Sequence, residues 1–422
     1  MFKFLHAADV HLDSPLTGLD RYDGAPVDEI RGASRRALEN LVQLALDEQV
    51  AFVLIAGDLY DGKWRDFNTP LFFSQQMVKL KEARIPVVLI SGNHDAAATM
   101  TRSLRLPDNV RKLSDHEPER AILEELNVII HGQGFANRAV TENLARAYPS
   151  AEPGMTNIGL LHTCATGDDG HESYAPCSLD DLCCKEYDYW ALGHIHQRRE
   201  LHEPNSPPII FPGNIQGRHA RETGAKGCML VTVDDHGRCT PEFRSLDVIR
   251  WCECAVDASG AEDPDAVLDR FATELEKVQT SEDDLPLAVR VLVAGRTPAH
   301  AKLSAAAGWQ EQIRAAAIDV GGGRIWVEKV RVHTRPPSDG DGLALDEGPL
   351  GELMTYFHDL EPGDARLDKF RAELKDFAQK MPSELLADAD GLRIDDDRWL
   401  LDLLRDVPPL LAARLNAGEN GR

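Results

Sequence analysis

Eight side chains in this sequence can bind a metal or move a proton, and each follows closely on an apolar run: Asp9, His11, Asp58, Asn93, His94, His162, His194 and His196. They come from five separate segments. The set holds two carboxylates, one amide oxygen and five imidazoles. That mixture suits manganese, iron or zinc and is too rich in nitrogen for calcium. In a strand, residues i and i+2 point the same way, so Asp9/His11 and His194/His196 are each expected to act as a pincer. Seven ligands of this kind crowd one ion but suit two ions that share a carboxylate. Two ions about 3.5–4 Å apart can clamp a phosphoester, one activating water and both neutralising developing charge.

The elements that position these residues read as alternating strands and helices. Val87-Val88-Leu89-Ile90 is a buried strand that runs into Ser91-Gly92-Asn93-His94-Asp95, where Gly92 allows close backbone approach to a ligand. Residues 2–7 form a first strand that ends at Ala8-Asp9-Val10-His11. Residues 28–48 carry apolar positions at helical spacing. A second strand, 51–56, ends at Gly57-Asp58-Leu59-Tyr60-Asp61, and a second helix covers 69–83. Strand–helix repeats of this length predict parallel pairing with right-handed crossovers, and ligands bind outside the carboxyl ends of such strands.

Further strands are expected at 127–131, at 157–161 before His162, at 187–192 before His194, and at 209–211, 228–233 and 239–245; the last three suggest an antiparallel part of the same architecture. The first domain is expected to span residues 1–246. A small α+β unit follows over 247–336, with strands at 251–256, 287–293 and 324–332 and helices at 263–279 and 304–317. The segment Pro336–Gly342 reads as a linker. Residues 337–422 are acidic, rich in leucine and helical in spacing.

Composition narrows the classes. The 422 residues are 43% hydrophobic and 27% charged, ordinary for a globular protein. No run is apolar and long enough to span a bilayer, and no signal-peptide pattern opens the chain, so a cytoplasmic location is expected. The eight cysteines form no Cys-x-x-Cys framework and read as reduced thiols. The net charge is −24, and residues 1–246 hold 25 Lys and Arg against 35 Asp and Glu. This acidity argues against tight general binding of duplex DNA by the chain alone, not against phosphoester chemistry.

Asp9-Val10-His11, Gly57-Asp58-Leu59-Tyr60-Asp61, Gly92-Asn93-His94-Asp95, His162 and Gly193-His194-Ile195-His196, in this order, resemble the motifs of the calcineurin-like metallophosphoesterase superfamily. The resemblance covers residues 1–246. It implies an α/β fold, the four-layer α-β-β-α metallophosphoesterase sandwich, with a small α+β capping domain and a helical C-terminal tail. It also implies a split of ligands. Asp9, His11, Asp58 and His196 hold one ion, Asp58, Asn93, His162 and His194 hold the other, and His94 stays free to protonate the leaving oxygen or steady the phosphate. Two divalent ions are implied, manganese first, with iron or zinc as alternatives.

Ala8–Pro15, Ala56–Asp61 and Phe211–Arg218 look like the DNA repair exonuclease branch, the SbcD/YhaO type. That branch implies DNA as substrate, a homodimer, and docking of an SbcC-like coiled-coil ATPase by the tail. No Walker Gly-x-x-x-x-Gly-Lys-[Ser/Thr] occurs, so ATP dependence must come from such a partner. Asp61 departs from the archaeal and eukaryotic pattern, which has a second histidine there. Lys63, Trp64, Arg65, Arg218, Arg221 and Lys226 follow motif loops and are candidates for nucleic-acid contact, while His6 and His131 read as satisfied core residues.

Overall fold

A computed structural model describes residues 1–14, 32–61, 68–97, 106–165, 174–201, 206–282, 285–305, 307–337, 352, 355–357, 359–378, 394, 396–401, 403, 404 and 407. Lys63, Trp64, Arg65, the linker beyond residue 337 and the stretch 410–415 lie outside them.

The strands β1 (Phe2–Ala7), β2 (Phe52–Ala56) and β3 (Val87–Ile90) pair in parallel, as the strand–helix spacing predicts, and a short strand β4 (Val110–Lys112) that the sequence pattern does not mark adds to β3 in parallel. The hairpin β11 (Gly227–Val233) and β12 (Cys239–Ser245) returns late in the chain to pair antiparallel beside β1. The order in this first sheet is β12-β11-β1-β2-β3-β4. The second sheet contains β5 (Glu119–Leu123), β6 (Val128–Gln133), β7 (Thr156–His162), β8 (Tyr189–Gly193), β9 (Arg199–Leu201) and β10 (Ile209–Phe211), in the order β5-β6-β7-β8-β10-β9. The strand at 209–211 is parallel to β8 and antiparallel only to β9.

Side-chain alternation explains the layers. Phe4, Phe52, Leu54, Val88 and Ile90 pack inward against Ile130, Ile158, Leu160, Tyr189 and Ala191 of the second sheet. Phe4 stacks on Phe52 at 4.8 Å and meets Tyr189 edge-on at 5.4 Å. The intervening residues Leu5, Val53, Ile55 and Leu89 turn outward into a second cluster with α1 (Ala33–Asp47) and α2 (Asn68–Glu82). On the far side, Trp190, Leu192, Ile209 and Phe211 pack with Leu182. The result is a two-sheet α/β sandwich with helices on its outer faces, the layered fold that the sequence resemblance implies. His6, fully buried, confirms its core reading: its Nε2 donates to Leu192 O at 3.1 Å, leaving Nδ1 to accept from Tyr189 Oη at 3.0 Å.

A third sheet, β13 (Arg250–Asp257), β14 (Leu287–Arg296) and β15 (Ile325–Arg335), follows with α3 (Pro264–Ser281) and α4 (Ala307–Gly321). Asp263 caps α3 by accepting from Ala266 N, and Pro264 opens it. One face of β13 meets the first unit: Trp251 Nε1 donates to Gly217 O at 3.0 Å. Among the described residues, those within 296–301 and 334–422 form a compact unit of their own. Its core is Phe357, Leu360, Leu367, Leu400, Leu401 and Leu404. No helix among the described residues is long and apolar enough to cross a membrane.

Candidate metal centre

The carboxyl ends of β1, β2, β3, β7 and β8 meet along one seam between the two sheets. All eight candidate residues lie there, and all but His94 and His196 are buried. Asp9, His11 and His196 bring ligand atoms within 4.8 Å of one another, as do His11, Asp58 and His94, and Asp9, Asp58 and His162. His194 belongs to none of these trios but places its ring 5.2 Å from that of His162. Asn93 Oδ1 lies 3.0 Å from His162 Nε2.

The expected strand pincers are not made by pleat alternation. Asp9 and His11 follow the end of β1 with left-handed backbone (φ 50° and 42°), and Asp58 (φ 50°) and His194 (φ 104°) share that feature. Such conformations are costly away from glycine and mark sites that the surroundings over-determine. His11 N donates to Asp58 O at 3.0 Å and Asp9 N to Gly57 O at 3.1 Å, which lock the two loops together. His194 and His196 consequently diverge. His194 stands beside His162, whereas His196 faces His11 with Nε2 atoms 3.1 Å apart.

Tight backbone crossings make this possible. A Cβ on Gly193 would stand 1.9 Å from Ala56 O, and one on Gly92 would stand 2.2 Å from Asp58 Oδ1. Asp95, the last residue of its motif, ties the loops by accepting from Gly92 N, Leu59 N and Tyr60 N.

Hydrogen bonding decides which ring atoms are left for ligands. A carbonyl oxygen only accepts, so His162 Nδ1 donates to Ala56 O at 2.9 Å and Nε2 keeps its lone pair. That lone pair faces Asn93 Oδ1 and, at 3.5 Å, Asp58 Oδ2. His196 Nδ1 likewise donates to Glu222 Oε1 at 2.6 Å. Arg218 Nη2 lies 3.4 Å from the same nitrogen, a proximity rather than a bond, because a donating nitrogen cannot also accept. Asp58 is anchored by His94 N on Oδ1 at 2.8 Å, so Oδ2 stands between His11 Nε2 at 3.8 Å and His162 Nε2 at 3.5 Å. Both oxygens of Asp9 accept from His194 N.

Burial drives two of the imidazoles neutral: His162 falls to about 3 and His11 well below its ordinary value. Burial and the facing Asp58 push Asp9 well up, and burial lifts Asp58 to about 6 against the pull of His94. Neutral ring lone pairs and two buried carboxylates that repel each other converge on the same small volume, with His11 presenting Nε2 to it and turning Nδ1 away toward Asp61 Oδ1 at 3.7 Å. This donor set fits divalent cations.

His94 Nδ1 lies 2.9 Å from Asp61 Oδ1, and that bond raises the ring's pKa against partial burial. Asp61 also accepts from Ser14 Oγ at 2.8 Å. Burial works against its charge, but the His11 and His94 rings hold it well below the usual carboxylate range.

Glu222, which sequence reasoning missed, accepts from His196; only its place in the same loop as Arg218 pointed to it. Lys226, a candidate for nucleic-acid contact by its place in the sequence, does not present its charge at the surface. It is buried and donates to His196 O at 3.1 Å.

A two-sheet sandwich with carboxylates and imidazoles gathered at its strand ends defines a metal-dependent phosphoester hydrolase. The chain belongs to the calcineurin-like metallophosphoesterase superfamily. Residues 2–198 match the family model described as calcineurin-like phosphoesterase. Residues 251–335 match the model described as metallophosphoesterase YhaO, middle domain. An uncharacterized metallophosphoesterase YhaO of Bacillus subtilis (strain 168) is 35% identical over 298 residues, 70% of this chain and 72% of that one. A dimetal phosphatase from Danio rerio covers 56% of this chain and 93% of its own at 12% identity, with a TM-score of 0.36.

Proposed function

We propose that this chain is a binuclear-metal phosphodiesterase acting on DNA, a 3'-5' exonuclease that also cuts single strands, in DNA repair. The observation that carries the metal reading is the place of Asp58 Oδ2, between the inward nitrogens of His11 and His162. Asp9, His11, Asp58 and His196 would hold one ion, and Asp58, Asn93, His162 and His194 the other. Two divalent ions, manganese in our reading, supply a polarised water and neutralise charge that develops on the phosphoryl oxygens. His94, partly exposed and held by Asp61 through Nδ1, is left with Nε2 to give a proton to the leaving oxygen. Arg218, 3.6 Å from Asp61, carries positive charge to the same edge.

DNA as substrate rests on the exonuclease-branch motifs at residues 8–15, 56–61 and 211–218. An SbcC-like coiled-coil ATPase partner, a homodimer and a cytoplasmic location belong to the same reading. Leu71 and Val78, exposed one heptad apart on α2, suit such a dimer face.

The net charge of −24 favours a second reading, a phosphodiesterase for small molecules or cyclic nucleotides. The test is side-by-side turnover of end-labelled linear duplex DNA and bis-(p-nitrophenyl) phosphate with Mn²⁺. Release of the 3' label together with cleavage of the small ester is the expected result. Cleavage of the small ester alone, even with an ATPase partner supplied, removes the nuclease reading.

A further inference from the structure

We propose that Glu222 is a positioning residue of the metal centre: its carboxylate sets the tautomer of His196 and, with its other oxygen, the place of Arg218. The inference rests on the binuclear reading above.

Glu222 is only 7% exposed, and each of its oxygens faces inward. Oε1 accepts from His196 Nδ1 at 2.6 Å. A carboxylate has no proton to give, so the ring proton sits on Nδ1 and the Nε2 lone pair turns toward His11 and Asp9. Oε2 accepts from Asn214 Nδ2 at 2.8 Å and from Arg218 N at 2.6 Å. These two bonds close the loop from Gly213 to Glu222 on itself. They leave the Arg218 guanidinium next to Asp61 and His196. One buried side chain thus orients two groups at the same end of the site.

The other end is built differently. His162 takes its orientation from a backbone carbonyl, Ala56 O, which no side-chain substitution removes. His196 depends on a side chain, so its tautomer can be changed by one substitution. In Glu222→Gln, the Oε2 position still faces two N–H donors and must remain an acceptor. The amide oxygen goes there, and the NH₂ group is turned against His196 Nδ1. The ring then has to accept at Nδ1 and carry its proton on Nε2, which removes the lone pair aimed at Asp9 and His11. A residue that merely held the loop would leave the ring tautomer unchanged.

Two measurements on the full chain test this. The first is ¹⁵N histidine NMR of the metal-free protein, with His196 assigned by its absence in His196→Gln. The expected result is a proton on Nδ1 in the native chain and on Nε2 in Glu222→Gln; an unchanged tautomer overturns the proposal. The second is calorimetric titration with Mn²⁺. We expect two binding events in the native chain, one of them weakened roughly 10- to 100-fold in Glu222→Gln. Glu222→Gln should add nothing in a His196→Ala background; an additive loss there also overturns it. A native chain that binds fewer than two ions sinks the binuclear reading, while the metal-free tautomer still decides the role of Glu222. If Glu222→Gln does not fold, Glu222→Asp, which draws the acceptor back by one methylene, takes its place. Loss of the Nδ1–H preference is expected there, and its retention overturns the proposal.

Discussion

The two sheets bring different chemistry to the seam. The first supplies both carboxylates, the amide and two imidazoles: Asp9, His11, Asp58, Asn93 and His94. The second supplies imidazoles alone: His162, His194 and His196. Their supports differ too. The oxygen donors are held by backbone N–H groups, Asp58 by His94 N and Asp9 by His194 N. The rings are held by acceptors, His162 by Ala56 O and His196 by Glu222. Asp9–His194 and His162–Ala56 each cross from one sheet to the other. The lesson is that neither sheet owns a complete site. The cluster exists only while the seam is closed.

The largest expected effect belongs to the carboxylate that stands between both halves. Asp58→Asn should lower turnover of bis-(p-nitrophenyl) phosphate by about 10³-fold or more and weaken both Mn²⁺ binding events. Retention of either event would separate the two halves. His94→Gln should cost about 10²- to 10⁴-fold in kcat while both Mn²⁺ events survive, because its part is the proton rather than the ions. Gly193→Ala tests the crossing itself. Its Cβ would meet Ala56 O at 1.9 Å, so we expect an unfolding cost of about 1–3 kcal/mol or more in denaturant titration. A neutral result would show that the sheets need not approach so closely.

An effect confined to acid pH lies behind the site. Burial holds His6 at about 3, below its ordinary 6.5, so it stays neutral in the fold and becomes charged in the unfolded chain. Its contribution is present above pH 6.5 and is lost as the pH falls from there toward 3, at up to about 1.4 kcal/mol per pH unit. His6→Gln should flatten that limb in urea midpoints measured across this range.

The sequence alone was enough for most of the strands, the parallel pairing of β1, β2 and β3 and the identity of the clustered residues, but not for the short or exposed strands β4, β5 and β9. Each clustered residue follows closely on a buried apolar run, and strand ends of α/β sheets are where polar groups collect. The left-handed backbone at Asp9 and His11 was not readable, because Asp and His tolerate a positive φ better than most residues but adopt it only where the surroundings impose it; Asp9 and His11 still converge, by a turn rather than by pleat alternation, whereas His194 and His196 part. Glu222 and Ala56 were not readable either. They lie 26 and 106 residues from the rings they orient, and nothing local marks a distant acceptor. Lys226 was misjudged for the same reason, since its partner is a backbone carbonyl 30 residues away. Local pattern determined which side chains can bind an ion. Tertiary structure decided which atom of each one faces inward, because a tautomer or a carboxylate rotamer is set by the hydrogen-bond partner that packing delivers.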